Sequence, residues 1–201
     1  GSDPWKASDR DPKNPLNDSF NRFIHFVLTL GKESDVAGKD SGDEIQLVLS
    51  DMRKFGKVTL IPTAQTLYGG ETHPDLSHLG PEPLDEKFTF AVFDKQLSKR
   101  PHAPIKQALM DQTLIAGVGN IYSDEILWRA SVHPKSPYGK IPADIRKDMY
   151  KATKEMLRKG IDFGGDSMSD YRNIDGLPGE FQGQHKAYRR TGKPCGKTVL
   201  F

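Results

Sequence analysis

Apolar and polar residues alternate in two segments near the start of the chain, from Ile24 to Leu30 and from Ile45 to Leu49. A third, shorter apolar run covers residues 58–61. A period of two is typical of a strand with one buried face. The three segments therefore predict an antiparallel meander with one face in a core. Residues 31–43, rich in Gly, Ser, Asp and Lys, predict a flexible connection.

After residue 85 the apolar period changes to three and four residues. Phe90, Phe93 and Leu97 predict a short helix, although the alternation of Phe88, Phe90 and Val92 leaves a short strand open. Further helices are predicted through Ile105 to Leu109, over about Asn120 to Ala130, and from Pro142 to near Gly160. Strands followed by helices indicate an α+β protein with two sub-domains, divided near residues 85–100.

Composition narrows the class of protein. The chain has 201 residues, 35% of them hydrophobic, with 19 Gly and 14 Pro, so we expect a loop-rich molecule with more than one small core. No run approaches the roughly 20 apolar residues of a membrane span, and no secretion signal opens the chain. The single cysteine, Cys195, excludes an internal disulfide framework and a zinc site built mainly from this chain's cysteines.

Charge is distributed unevenly along the chain, although the net charge is only +2. Residues 1–50 hold six Lys/Arg against nine Asp/Glu, whereas residues 151–201 hold ten against six. From residue 183 onward there are five basic residues and no acid. Such an end is typical of polyanion binding, and equally of a solvated basic tail.

Residues 109–125 carry the most informative pattern, a helix, a tight glycine-containing turn and a second helix. Gly117 and Gly119 allow the backbone to bend sharply and to approach other backbone closely. Asn120 stands at the start of the second helix, where exposed N–H groups and the helix dipole favour a phosphate. Asn120 as a plain N-cap residue is the alternative.

Five segments match motifs found together in known proteins: Asp51-Met52-Arg53-Lys54-Phe55-Gly56, the L-G-P-E-P-L run at 79–84, residues 109–125 followed by His133-Pro134, Asp170-Tyr171-Arg172-Asn173 with Gly176 and Gly179-Glu180-Phe181-Gln182, and Tyr188-Arg189-Arg190 with Gly192-Lys193-Pro194-Cys195. The set resembles the formamidopyrimidine-DNA glycosylase / endonuclease VIII family. The segments occur in order over roughly residues 20–196, so the set is more specific than any single motif.

The resemblance implies three parts and a fold. Residues 1–84 would be the remainder of an N-terminal antiparallel β-sandwich domain. Residues 85–182 would form the helix–two-turn–helix domain with a lesion-binding loop. Residues 183–201 would be a basic β-hairpin or a truncated zinc-finger region. In the hairpin, residues 186–190 would pair with residues 198–201.

The resemblance also implies roles for individual residues. Arg53 and Phe55 would fill the gap left by a flipped-out nucleotide, and Lys106 and Asn120 would hold the flanking phosphates. Further phosphate contacts would come from the basic tail, and the lesion loop would close over the extruded base. The residues of the basic tail are Arg189 and Arg190. Those of the lesion loop are Met168, Ser169, Asp170, Tyr171 and Arg172.

Each role has a structural alternative. Arg53 would otherwise cap a turn, Phe55 would be a core residue, and Lys106 would be a solvated surface lysine. The loop around residue 170 would be an ordinary surface loop.

Two features of the family pattern are missing from this sequence. Family members begin with a P-E-[LG]-P-E type motif whose proline amine is the nucleophile, whereas this chain begins Gly1-Ser2-Asp3, so no catalytic residue is assigned. A zinc finger needs four cysteines, so Cys195 could be only a remnant ligand and we expect no metal in this chain, although complete family members typically hold zinc. The chain is truncated at both ends, or belongs to a longer protein, or has a zincless hairpin.

The function implied is base-excision repair of DNA. The complete protein would remove oxidised purines, 8-oxoguanine or formamidopyrimidine, and cleave the strand as an AP lyase, whereas this chain would bind DNA weakly and cut nothing. The alternative is a non-catalytic helix–two-turn–helix nucleic-acid-binding module. We expect a monomer whose partner is double-stranded DNA containing damaged or abasic sites. We expect no binding to a membrane. If the source is bacterial, the protein would be cytoplasmic and associated with the nucleoid.

Overall fold

The computed structural model describes residues 17, 19–30, 45–52, 54, 56–58, 76–167, 171, 173 and 177–197. They belong to two compact units, Gly1–Pro62 and Thr63–Phe201. The domain boundaries after residues 84 and 182 stay predictions.

The first unit contains an antiparallel two-stranded ribbon. Strand β1 covers Ile24–Leu30 and strand β2 covers Ile45–Ser50, with Ile24 opposite Ser50, Leu30 opposite Ile45 and an irregularity between Ile24 and Phe26. A short 3₁₀ turn, Ser19–Phe23, precedes β1. The strands are those that the alternating pattern predicts.

The prediction of one buried face is wrong for this ribbon. Within the described residues, Ile45 is 69% exposed, Leu30 49% and Leu47 48%, and the half-buried strand residues are Ile24, Val48 and Leu49. Among the described residues no further strand joins these two, and a two-stranded ribbon by itself can bury little of either face. Lys57 and Val58 are not in a strand, and residues 59–61 of the predicted third strand lie outside the described residues.

The second unit is built from four helices: α1, Phe90–Leu97; α2, Ile105–Met110; α3, Asn120–Arg129; and α4, Ala143–Asp162. All four lie where the three-and-four period predicts them. The open choice at residues 88–97 is settled as a helix, which begins after Thr89 because the Thr89 hydroxyl oxygen accepts a hydrogen bond from Val92 N. Short 3₁₀ turns cover Tyr138–Lys140 and Phe181–Gln184.

One core joins these helices. Phe93, Ile105, Ile126 and Met149 are completely buried, one from each helix. The aromatic rings of Phe88, Phe93 and Tyr150 pack together at its end near α1. The described part of the chain has no helix long and apolar enough to cross a membrane.

A half-buried polar cluster links α1 to α4. Tyr138 donates a hydrogen bond from its hydroxyl to Asp94 Oδ1 at 2.6 Å, and Arg146 Nη1 lies 2.7 Å from the same oxygen. Burial raises the pKa of Tyr138, which therefore stays a hydrogen-bond donor.

Gly80 brings the L-G-P-E-P-L segment into backbone contact with the turn between α2 and α3. Its N–H donates to Gln112 O at 2.7 Å, and Ala116 N donates to Pro81 O at 3.2 Å. A Cβ at residue 80 would lie 2.4 Å from the carbonyl carbon of Leu114. Only glycine fits here, so this segment and the turn form one rigid body.

The C-terminal hairpin is not borne out in the described residues. Residues 185–197 form turns and bends with no strand, and residues 198–201, the second half of the predicted pair, lie outside the described residues. Arg190 N donates to Ala187 O and Lys193 N to Arg190 O, so the chain turns twice where an extended strand was expected.

Replacing Gly80 with Ala should destabilise the helical unit. The clash is with backbone, which cannot move aside, so we expect the free energy of unfolding to fall by about 1–3 kcal/mol. Urea unfolding followed by circular dichroism measures the change. The control is Gly183→Ala, where an added Cβ meets nothing within 4 Å. Equal losses in the two variants would contradict the close-approach argument.

Candidate nucleic-acid interface

The side chain of Gln112 holds the turn between α2 and α3. Its Oε1 accepts a hydrogen bond from Gly117 N at 2.8 Å. Its Nε2 donates to Met110 O at 3.0 Å and to Val118 O at 2.9 Å. Gly117 has φ +78°, a value that side chains disfavour. One amide thus satisfies three backbone groups and fixes the angle between the two helices.

Asp111 ends α2 and stabilises the first half of the turn. Its Oδ1 accepts hydrogen bonds from the Thr113 hydroxyl at 2.7 Å and from Thr113 N at 3.0 Å, and its Oδ2 lies 2.9 Å from Arg100 Nη2. The Thr113 hydroxyl is the main reason that the pKa of Asp111 is lowered, against the opposing effect of burial, and Arg100 lowers it further.

Helix α3 begins with uncapped N–H groups. Gly119 is the N-cap residue, and no side chain accepts a hydrogen bond from the first turn. Asn120 is therefore the first helical residue and not the N-cap, so that alternative is wrong. Asn120 is exposed, next to N–H groups that favour an anion.

Lys106 lies on the same side as the start of α3. Its Nζ is 2.7 Å from Asp124 Oδ1, and both side chains are about one quarter exposed. Asp124 follows Asn120 by four residues and so lies on the same face of the helix. The structure thus joins Lys106 to α3 one turn after Asn120, through a carboxylate that is already paired with the lysine.

The ends of the predicted lesion loop are fastened to each other. Glu180 N donates to Phe163 O at 2.8 Å, and Phe181 N donates to Gly165 O at 3.0 Å. Gly179 N donates to the Ser167 hydroxyl at 2.6 Å. Hydrogen bonds therefore hold together the two ends of the loop where it leaves and rejoins the helical unit.

Most of the predicted lesion-loop and wedge residues lie outside the described residues: Arg53, Phe55, Met168, Ser169, Asp170 and Arg172. Tyr171 is described and is 46% exposed, and its backbone O accepts a hydrogen bond from the Ser167 hydroxyl at 2.8 Å. The roles of all these residues stay predictions.

The basic arm, residues 189–194, is fully exposed. Arg189 has φ +54°, and its guanidinium lies 5.8 Å from the centre of the Tyr188 ring. Among the described residues, Arg189, Arg190 and Lys193 form no ion pair. Three unneutralised cations on one short loop suit contact with phosphates.

Glu125 is a buried residue that the sequence analysis did not single out. It is 2% exposed, and its carboxylate accepts hydrogen bonds from Lys186 N at 2.8 Å, Ala187 N at 3.0 Å and Tyr188 N at 2.9 Å. The available signal was a charge four residues after the apolar Ile121, on the buried face of α3.

The residues present do not fit a zinc centre. Cys195 is exposed and is the only cysteine of the sequence. Within the described residues there is no group of three or more His, Cys, Asp or Glu side chains placed to hold a metal ion. No chemistry is therefore assigned to a metal here.

Comparison with known proteins agrees with this geometry. Residues 79–172, which contain α1 to α4, match the model of the formamidopyrimidine-DNA glycosylase H2TH domain. The formamidopyrimidine-DNA glycosylase of Desulfitobacterium hafniense (strain DSM 10664 / DCB-2) is 41% identical over 164 residues.

The chain belongs to the formamidopyrimidine-DNA glycosylase family.

The chain spans little more than half the length of its curated family relatives. The D. hafniense alignment covers 82% of this chain and 58% of that relative. A family member from Thermus thermophilus is 41% identical over 151 residues, which is 74% of this chain and 55% of that relative.

Solved structures of the family have the same fold. The crystal structure of MutM (Fpg) from T. thermophilus aligns with a TM-score of 0.57 and 43% identity, over 63% of this chain and 48% of that one. A complex of Lactococcus lactis Fpg with DNA containing an abasic site aligns with a TM-score of 0.65 and 35% identity, over 77% of this chain and 55% of that one.

Replacing Asp111 with Ala should destabilise the turn in a pH-dependent way. Because hydrogen bonds lower its pKa in the folded state, its contribution is complete above the ordinary pKa of about 3.9 and is lost as the pH falls through the lower folded value. We expect a loss of about 1–2 kcal/mol at pH 7 that becomes smaller as the pH falls below the ordinary pKa towards the lower folded value, from urea unfolding at several pH values.

The control for this experiment is Asp148→Ala, which removes an exposed carboxylate paired with Lys151 at 3.2 Å. Its effect should stay within about 0.5 kcal/mol because exposed ion pairs contribute little. A loss at Asp111 that is the same at pH 7 and pH 3 would show that the carboxylate charge is not involved.

Proposed function

We propose that this chain binds damaged or abasic duplex DNA in base-excision repair. The observation that carries the proposal is the start of α3: uncapped N–H groups, an exposed Asn120 and, beside Asp124 on the same face, the ammonium of Lys106. These groups would suit a phosphate, and they lie in the region that matches the family's H2TH domain. The L. lactis relative that shares this fold is bound to DNA with an abasic site.

Two residues would hold the phosphates beside the flipped nucleotide. Asn120 and the N–H groups of α3 would supply directed hydrogen bonds, and Lys106 would supply a point charge. Such contacts position the duplex without reading its sequence, so they serve a protein that must find one damaged site among many intact ones.

Arg53 and Phe55 would stabilise the gap in the duplex. A guanidinium can hydrogen-bond the orphaned base, and an aromatic ring can fill the space between neighbouring base pairs. The support is the D-M-R-K-F-G run at residues 51–56, which resembles the family motif.

The lesion loop and the basic arm would complete the interface. The lesion loop would close over the extruded base with Met168, Ser169, Asp170, Tyr171 and Arg172. The two ends of this loop are joined by the hydrogen bond from Gly179 N to the Ser167 hydroxyl. Arg189 and Arg190 would contact phosphates farther along the duplex. We expect the complex to contain one copy of the chain.

The complete protein would remove oxidised purines, 8-oxoguanine or formamidopyrimidine, and cleave the strand as an AP lyase. An amine nucleophile would displace the base, and elimination would then break the strand. We assign no catalytic residue within these 201 residues, which hold the binding part of the site. Zinc belongs to the complete members of the family, and the described residues offer no fitting ligand group.

The 201-residue chain should bind duplex containing an abasic analogue about tenfold more tightly than undamaged duplex, because a stacked aromatic contributes about 1–3 kcal/mol. Phe55→Ala should abolish that preference without changing the dependence on salt. Met52→Ala, in the same segment and 47% exposed, should leave it intact. Fluorescence anisotropy titrations measure all three.

Two results would contradict parts of this proposal. Equal affinity of the wild-type chain for damaged and undamaged duplex would favour the non-catalytic nucleic-acid-binding module. Nicking of an 8-oxoguanine duplex by this chain would show that it contains a nucleophile.

Asp124 should weaken DNA binding by competing with phosphate for Lys106. In Asp124→Asn the lysine is released, so the slope of log K against log salt should steepen by about 0.9, the value for one added phosphate contact. The added slope should disappear in Asp124→Asn/Lys106→Gln. Asp148→Asn, which releases Lys151 from an ion pair on α4, controls for the change in net charge. An equal steepening in both single variants would refute a local role for Asp124.

A further inference from the structure

The basic arm is held at both ends by a single helix. The contacts that precede the arm involve Glu125 of α3, and the contacts that follow it involve Trp128 of α3. Between them lie residues 189–194, which carry Arg189, Arg190 and Lys193 on the surface. We propose that Glu125 and Trp128 are positioning residues that set this cationic loop for contact with DNA phosphates. The inference rests on the proposed function.

The first attachment is the carboxylate of Glu125. Backbone N–H groups of three consecutive residues, Lys186, Ala187 and Tyr188, converge on its two oxygens at 2.8–3.0 Å. A buried carboxylate is costly unless it is fully hydrogen-bonded, and these three donors meet that requirement. These three hydrogen bonds fix the backbone conformation of the residues immediately before Arg189.

A second pair of side chains supports the same attachment. His185 is 8% exposed, and its Nε2 hydrogen-bonds to Oδ2 of Asp166, in the segment that follows α4. The His185 ring also packs edge-on against the rings of Phe181 and Tyr188. The chain therefore approaches the arm through a sequence of buried contacts.

The other attachment surrounds Trp128. Its Nε1 donates to Cys195 O at 3.4 Å, and Lys197 Nζ lies 4.2 Å from the centre of its ring. Lys197 Nζ also donates to Trp128 O at 3.1 Å and Arg129 O at 2.9 Å. A cation on the last carbonyls of a helix is favourable, so these contacts fasten the chain where α3 ends.

A loop held in this way gains affinity by being ordered in advance. One turn leads into the arm, with Arg190 N donating to Ala187 O, and a second lies within it, with Lys193 N donating to Arg190 O, so the chain is directed before any partner arrives. Binding then costs less conformational entropy than it would for a free basic tail.

The experiment compares salt slopes of duplex binding for Glu125→Gln and the wild-type chain. The amide keeps the size of the side chain but replaces one acceptor oxygen with a donor that opposes the backbone N–H groups. We expect the slope to flatten by about 1–3, since each lost phosphate contact removes about 0.9. Amides 186–188 should also lose protection in hydrogen exchange, while α1 to α4 keep theirs.

The matched control is Glu155→Gln. Glu155 lines the same groove as Glu125 and the variant has the same change of charge, but its partners are the side chains of Arg129 and Lys159 and not the backbone N–H groups of residues 186–188. Its salt slope should equal that of the wild-type chain. Trp128→Phe, which loses the bond to Cys195 and keeps an aromatic ring, should flatten the slope less than Glu125→Gln and serves if that variant does not fold.

A combined variant tests whether the effect passes through the arm. In Arg189→Gln/Arg190→Gln/Lys193→Gln, adding Glu125→Gln should change the slope no further, because the contacts are already gone. An additive effect would overturn the inference, and so would a wild-type slope in the triple variant or in Glu125→Gln with its fold intact. Failure of the wild-type chain to bind any duplex would instead overturn the proposed function.

Discussion

The turn between α2 and α3 determines where the binding residues of the helical unit lie. The side chain of Gln112 hydrogen-bonds to backbone groups on both sides of this turn. At Gly80 the backbone of the L-G-P-E-P-L segment lies in close contact with the backbone of Leu114. These contacts are local and polar, yet they set the direction of α3, whose first residue is the exposed Asn120. If the turn opened, Lys106 on α2 and Asn120 on α3 would lose the relative placement that the proposed phosphate contacts require.

The helices could be predicted from the sequence because their signals are local. A three-and-four period gave α1 to α4 with nearly correct limits, and Gly117 marked a turn that does require a positive φ. The buried face of the ribbon was predicted wrongly because alternation reports what a strand could bury and not whether a second layer is present. The arm was predicted as a hairpin, but Glu125 binds the backbone N–H groups just before it, which prevents them from pairing with a strand.

The candidate site was predictable in proportion to how local it is. Asn120 was singled out from the local helix–turn–helix pattern and Lys106 from the family resemblance, and their phosphate-binding roles stay predictions. Asp124 and Glu125 were missed, since their partners lie on other elements: Lys106 on α2, and residues more than sixty positions later in the chain for Glu125. A carboxylate on an amphipathic helix is ordinarily a solvated residue, and only the packing of the fold shows which ones are buried.

Helix α3 fixes the distance and the angle between Asn120, the proposed phosphate-binding residue, and Glu125, which holds the chain just before the basic arm. From Asn120 to Glu125 the axis advances about 7.5 Å, at roughly 1.5 Å per residue, and each residue adds about 100° of rotation. Inserting a single residue between them would therefore swing one end of the helix by more than a quarter of a circle. The angular register between the proposed phosphate-binding residue and the residue that holds the chain just before the basic arm is thus set by the residue count of one helix.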